Sequence, residues 1–572
     1  MQLTMDLPVA FSKETYEYGR RSSGETHGVV LTKPHIVELI LDLAGYSQGP
    51  KLVQMRLLEP ACGHGAFLVP ALERLMTAAA AAKVKPEKLV DSVRAFDIDE
   101  EHVDIARAAV VHTLQRHNVA NRTALRLAEK WVRHEDFLLA RTSEVFDAVV
   151  GNPPYIRIEQ IAPALQAEYR SRFQSIYDRA DLYVAFIERG LSLLADGGIL
   201  SFVCADRWTL NRYGAPLRKL ISEAFHVRAY IDLHQASPFE TEVSAYPAIF
   251  AIGREAGGTV MVAKMEEGTR TECETIRTTL RQRVRDGVDP KGVGPVAFHS
   301  SWFEGDAPWI VTSPEQNRML RMLESKFFAI EHDGLARVGI GVATGCDKIF
   351  IVDMATAKKT TIEGDRLVPL VMRDDIERGR INDSGRFVIN AFRDDGGTVS
   401  LDDYPNLARY LNANTAAIRK RHVARKAPAN WFRTIDRVYP KLVTTPKLLI
   451  PDIAGANEVA FDEGHYHPHH NLYFVTSDHW DLEVLGGLLS SRVALFFVWS
   501  YAVKMRGGYL RFQAQYLRRI RLPAPEDLSA PLRAQIKKAF RTRNFVLLDE
   551  LALAAYHIDK LPAFDFLDTR GR

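Results

Sequence analysis

The chain has 572 residues, of which 47% are hydrophobic and 25% charged, with a formal net charge of +3. That length holds two or three domains with full cores, and so small a net charge leaves any polyanion binding to local patches. Four scattered cysteines without a CxxC pair argue against a disulfide framework and a structural zinc site, and fit a reducing cytoplasm.

In chain order, Met1 to Lys13 carries Asp6 and no long apolar core, so no signal peptide is expected. The longest apolar run, Ala494 to Val503, is too short to span a bilayer. Thr15 to Gly28 reads as a polar entry. Thr32 is expected as an N-cap and Pro34 as an early helical position, opening a helix with Ile36, Val37, Leu39 and Ile40 on a wide apolar face. The loop before it is a candidate ligand contact. Met55 to Glu59 is a strand, Pro60-Ala61-Cys62-Gly63-His64-Gly65 a small-residue turn, and Ala66 to Ala82 a helix. Strand, Gly-rich turn and helix make the first unit of a doubly wound sheet, and small residues let a ligand approach the backbone. The next strand, Val93 to Asp97, ends in an acid, the position that commonly binds ribose hydroxyls. Leu68 stands where a full G-x-G-x-x-G has its third glycine, which disfavours a pyrophosphate-bearing cofactor.

Asp136 lies beside another expected strand end, where an adenine amino group could bind. The strand Val145 to Gly151 runs into Asn152-Pro153-Pro154-Tyr155. Two prolines fix φ and remove two backbone donors. Such a stiff loop can hold a flat ring bearing an exocyclic NH2: Asn152 Oδ1 and the Pro153 carbonyl accept its hydrogens and Tyr155 stacks. Ala180 to Leu194 is a helix, Ile199 to Cys204 a buried strand, Leu217 to Phe225 a helix and Val227 to Leu233 a strand. Val243 to Ile252, with Pro247 inside, reads as an edge or irregular strand. The expected organisation is an extension over 1–28, an α/β domain over 29–255 and a connector over 256–334. A second domain over 335–525, with short Gly-flanked strands, and a helical tail over 526–572 follow. The second domain carries basic clusters, Arg419 to Lys426 with Trp431-Phe432-Arg433, and Lys504 to Arg521, which suit phosphate contact. His465, His467, His469 and His470 tempt a metal reading, but no paired acids or cysteines support it, so a polar loop is favoured and no metal is expected.

This ordered set resembles the N6-adenine DNA methyltransferases of the gamma arrangement, the TaqI- and Eco57I-like family. The resemblance rests on Thr32, Leu58-Glu59-Pro60-Ala61-Cys62-Gly63-His64-Gly65, Asp97, Asp136 and Asn152-Pro153-Pro154-Tyr155, in that order. Gly197-Gly198, Phe202 and Val243 to Ile249 extend it. In the second half, Val338 to Phe350 with Thr344-Gly345, Pro446 to Leu449, His469 to Tyr473 and Leu485 to Leu489 resemble a target-recognition domain. It implies a Rossmann-like methyltransferase domain followed by a mixed α+β target-recognition domain, S-adenosylmethionine as cofactor and double-stranded DNA as partner. Thr32, Glu59, Ala61, Gly63 and Gly65 would surround the methionine end. Asp97 with Ile98 would take the ribose, Asp136 with Phe137 the cofactor adenine, and Asn152 would border both sites. A flipped-out adenine would enter the Asn152–Pro153 clamp between Tyr155 and Phe202.

The implied enzyme is the modification half of a restriction–modification or related defence system, with a separate cognate restriction endonuclease as a partner to look for. Alternatives are N4-cytosine transfer in the same pocket and a DNA-specificity module with a vestigial catalytic half. A cytosine-C5 mechanism needs a Cys nucleophile, usually after proline, and no Pro-Cys dipeptide occurs.

Overall fold

Short apolar strands alternate with amphipathic helices through the first half of the chain, and that alternation builds one large sheet. The computed structural model describes residues 30–241, 246–255, 257–286, 296–300, 303, 305–310, 314–454, 458–502 and 510–564. The expected extension over 1–28, Val243-Ser244-Ala245 and the basic run Lys504 to Tyr509 lie outside the described residues. The chain divides into two units with the boundary between residues 310 and 311.

The first unit runs α1 (Pro34–Leu43), β1 (Leu57–Glu59), α2 (Leu68–Ala81), β2 (Val93–Asp97), α3 (Glu100–Arg116), α4 (Asn121–Trp131), β3 (Val132–His134) and β4 (Phe146–Gly151). It continues with α5 (Pro163–Arg172), α6 (Tyr183–Ser192), β5 (Leu194–Ala205), α7 (Ala215–Ala224), β6 (His226–Asp232), β7 (Pro247–Gly253), β8 (Thr259–Lys264), α8 (Arg270–Asp286) and β9 (Val296–Ser300). The nine strands lie in the order β3-β2-β1-β4-β5-β7-β6-β8-β9. The first five are parallel, and β7 enters antiparallel between β5 and β6. Strands covered on both faces are mostly apolar: β1 and β7 are buried along their whole length, with Glu59 at the end of β1 the one acid between them.

Three expectations change here. Residues 247–253 form an inner strand, and Pro247 is tolerated because it is the first residue of that strand. The stretch expected as a connector contains β8 and β9, which extend the sheet, with α8 between them. Thr32 is not the cap of α1: Lys33 holds that position and Pro34 follows, while Thr32 bridges to Phe239.

The second unit contains two four-stranded sheets. One orders Arg337–Ile340, Leu472–Thr476, Lys447–Pro451 and Ala460–Asp462, all antiparallel. The other orders Ile351–Asp353, Arg386–Ile389, Leu367–Val371 and His467–Pro468. Helices Leu482–Leu489 and Arg492–Tyr501 pack with Ala530–Thr542 and Phe545–Ala555. The first and third approach so closely that a side chain at Gly487 would come within 2.5 Å of Ile536. The expected helical tail is therefore part of this unit. The unit is mixed α+β, as the sequence predicts. No single described helix is long and apolar enough to cross a membrane.

Candidate active site

Two loops meet where the sheet order reverses. The chain runs outward from β1 to β3 and then returns to place β4 on the other side of β1. Ligands of open α/β sheets bind at this switch, beyond the carboxyl ends of the strands. The turn after β1 is held to β2: Cys62 N–H donates to the Phe96 carbonyl at 2.9 Å, and Gly63 N–H to Asp97 Oδ2 at 2.9 Å. Gly63 and Gly65 have φ of +49° and +88°, a backbone that side chains disfavour. Asp97 Oδ1 accepts from Asp99 N–H at 3.0 Å and lies 3.3 Å from His102 Nδ1.

Glu59 closes β1 and is 1% exposed, with Oε2 buried and unpartnered. Burial, with the nearby Asp97 charge, holds its carboxyl well above the usual range, against a hydrogen bond from the Leu68 backbone. A cation beside Glu59 would supply what the fold withholds. Burial also pushes the Cys62 thiol well up, with Glu59 and Asp97 adding to it, so no thiolate nucleophile stands in this turn.

The loop after β4 adjoins the same place: a side chain at Gly151 would contact Pro60 at 3.6 Å and Glu59 at 3.9 Å. Asn152 Nδ2 donates to the Val30 carbonyl at 3.0 Å and lies 3.4 Å from Thr32 Oγ1. A carbonyl only accepts, so the amide nitrogen must face Val30 and Oδ1 must face away. Asn152 Oδ1 is buried and unpartnered. The Pro153 carbonyl accepts no hydrogen bond among the described residues. Two acceptors thus stand open on one stiff loop. Tyr155 is partly buried, with its hydroxyl 3.4 Å from the Val203 carbonyl.

Sequence reasoning missed Phe239. Its ring centroid lies 6.3 Å from that of Tyr155, edge to face, and its backbone bridges to Thr32. Its only sequence signal was an aromatic in the loop before a strand. Thr32, Glu59, Gly63, Asp97, Asn152, Pro153 and Tyr155 converge, with Ala61 and Ile98 partly exposed on the flanking turns.

Two expected contacts are enclosed aromatic rings, and a third is an acid held by its neighbours. Phe202 is 0% exposed, and its ring lies between α6 and the end of β4, 3.8 Å from where side chains at Gly190 and at Gly151 would begin. Strand alternation sends it to the α6 side, so it is a core residue and does not stack in the pocket. Phe137 is 1% exposed, packed against Phe96 and Phe186 with centroids 5.6 and 5.5 Å away. That packing leaves its ring no face for a ligand. Asp136 accepts from Leu138 N–H at 2.8 Å and from the Tyr169 hydroxyl at 2.7 Å, which ties it to α5.

In the second unit, Arg419, Lys420, Arg425 and Lys426 are exposed, with Arg419 over the Trp431 ring at 4.8 Å. Arg421 turns inward and donates to the Thr344, Trp431 and Arg433 carbonyls. Arg518 is paired with Glu331 at 2.8 Å, and Arg511 with Asp452. Arg421 is thus spent inside the fold, whereas Arg518 and Arg511 are ion-paired but keep exposed side chains.

With this geometry in place, comparison with known proteins is informative. The Eco57I restriction-modification methylase family matches residues 91–239, and the TaqI-like C-terminal specificity domain matches residues 375–522. The Type II methyltransferase M.PaeR7I of Pseudomonas aeruginosa is 46% identical over 91% of this chain and 90% of its own. This chain belongs to the Type II methyltransferase family. M.BstVI of Geobacillus stearothermophilus, another Type II methyltransferase, is 42% identical over 93% of this chain and 96% of its own. The Type IIL restriction-modification enzyme MmeI, solved in complex with DNA, shares the fold. Its TM-score is 0.62 at 14% identity, covering 93% of this chain and 73% of the other. The resemblance drawn from the motifs is thus met by family membership; the Asn152 loop lies within the matched methylase segment, and the turn after β1 precedes it.

Proposed function

We propose that this methyltransferase transfers a methyl group from S-adenosylmethionine to N6 of an adenine flipped out of double-stranded DNA. The observation that carries this reading is Asn152 Oδ1: buried, unpartnered and fixed in orientation, beside the open Pro153 carbonyl. Two acceptors suit the two hydrogens of an exocyclic NH2, and Tyr155 with Phe239 offers aromatic surface for a flat ring. The donor-binding residues fit a cationic amino-acid cofactor. Glu59 Oε2 lacks a partner, Gly63 and Gly65 present bare backbone, and Asp97 retains lone pairs beyond those its neighbours use. When bound, the sulfonium supplies an electrophilic methyl group, so no covalent enzyme intermediate is required.

The chain's own task is to make N6 a nucleophile. Acceptance of both amino hydrogens draws the nitrogen toward tetrahedral geometry and localises its lone pair. Positioning and electrostatics then carry most of the rate. The first unit is the catalytic domain in this reading, and the second, from residue 311, reads the target sequence. A separately encoded nuclease of matching specificity completes the restriction–modification system.

The test is labelled donor with duplex DNA, followed by nucleoside digestion. Label in N6-methyladenine supports the proposal. Label in N4-methylcytosine would assign the same clamp to the other amino base, and donor binding without any labelled DNA would point to a specificity module.

A further inference from the structure

The fold brings to the histidine run an acid that is more than a hundred residues away in sequence. The turn at His469 and His470 runs beside the segment that follows the strand Arg337–Ile340. His470 N–H donates to the Val342 carbonyl at 3.0 Å, and Val342 N–H to the Pro468 carbonyl at 2.9 Å. This pairing brings Asp347, at the first turn of the short helix Asp347–Phe350, against both imidazoles.

His469 Nε2 lies 3.2 Å from Asp347 Oδ2 and 2.9 Å from His470 Nδ1. The three ligand atoms all fall within 4.8 Å of one another. Asp347 Oδ1 is occupied by the Thr344 hydroxyl, which leaves Oδ2 as the oxygen aimed at the histidines. His469 is 2% exposed and its Nδ1 has no partner. Nothing on the far side of the ring therefore decides which nitrogen bears the proton. One proton on Nε2 cannot serve two neighbours well, since Asp347 and His470 approach the same atom.

A cation about 2.1 Å from each ligand sets ligand–ligand edges of about 3.0 Å in an octahedral site and about 3.4 Å in a tetrahedral one. The two measured edges, 2.9 and 3.2 Å, fall close to or between these values. We infer that Asp347, His469 Nε2 and His470 Nδ1 form a site for a divalent transition metal of the zinc, cobalt and nickel class. Two imidazoles and one carboxylate match the ligand preference of that class, and the exposed His470 side leaves open positions for water. The bound ion joins the start of the helix Asp347–Phe350 to the turn after His467–Pro468. It thereby ties together two chain connections between the sheets of the second unit, the one after Arg337–Ile340 and the one before Leu472–Thr476.

The experiment uses untagged full-length protein stripped with chelator and titrated with zinc chloride by calorimetry. Cobalt absorption bands report the ligand set. One equivalent should bind. Asp347→Ala and His470→Ala, both at solvent-accessible positions, should each weaken binding at least tenfold. His465→Ala, outside the cluster, should leave it unchanged. His469→Ala is the stricter variant, but its buried position endangers folding, so the other two carry the test. Absence of stoichiometric binding, or equal affinity in the Asp347 and His470 variants, would overturn the site.

Discussion

Asn152 concentrates the chemistry of this enzyme in one amide. Its nitrogen is committed to the Val30 carbonyl and its oxygen to nothing within the protein. Asn152→Ala removes one of two acceptors and should lower the methyl-transfer rate by at least about a hundredfold, the order seen when one preorganised polar partner is removed. Donor affinity should stay largely intact, as read by calorimetry. Glu59 gives a second prediction at this scale. Its carboxyl is held well above the ordinary range by burial and by Asp97, so the free protein parts with that proton less readily than an ordinary carboxyl does. A cationic ligand favours the carboxylate. Donor binding should therefore release protons below the raised pKa and tighten as pH rises. Calorimetry in buffers of different ionisation enthalpy measures this release, and Glu59→Gln should abolish it. Equal proton release in wild type and Glu59→Gln would remove Glu59 from the donor site.

At the scale of elements, the position of the Asn152 loop depends on how closely α6 lies on the sheet. A side chain at Gly190 would come within 2.7 Å of Leu200 and 3.4 Å of Val149, the latter in β4. Gly190→Val should push the helix off β4 and β5 and cost about 1–3 kcal/mol. The readout is the urea midpoint of the transition that donor binding shifts. The same scale shows what was legible beforehand. The strand from Val93 to Asp97 and the strand into Asn152 were readable because each is a short apolar run ended by a polar residue or proline. The antiparallel insertion of β7 was not, since local periodicity carries no information about neighbours in a sheet. Phe202 misled for a related reason: an aromatic on a strand reads the same whichever face it takes, and Gly190 decides the face here. Phe239 and Asp347 were invisible because their partners are distant in sequence.

For the whole molecule, a net charge of +3 spread over 572 residues cannot by itself draw the chain to DNA. Exposed Arg419, Lys420, Arg425 and Lys426 concentrate positive charge on the second unit, while Arg421 is spent on carbonyls. Replacing Lys420 and Lys426 together by Ala should weaken binding to duplexes of any sequence. It should also reduce the slope of log Kd against log salt by about 0.9 for each phosphate that is no longer neutralised. Unchanged slopes would assign DNA binding to another surface.

The hydrogen bond from Asn152 to Val30 has a consequence for how this enzyme can drift. The group that fixes the amide's polarity is a main-chain oxygen, 122 residues distant, and every amino acid carries the same one. Position 30 thus serves the amide through its backbone alone, while its side chain packs against the core as a separate duty. Only an alteration that moves the main chain there would swing the amide and turn an acceptor into a donor.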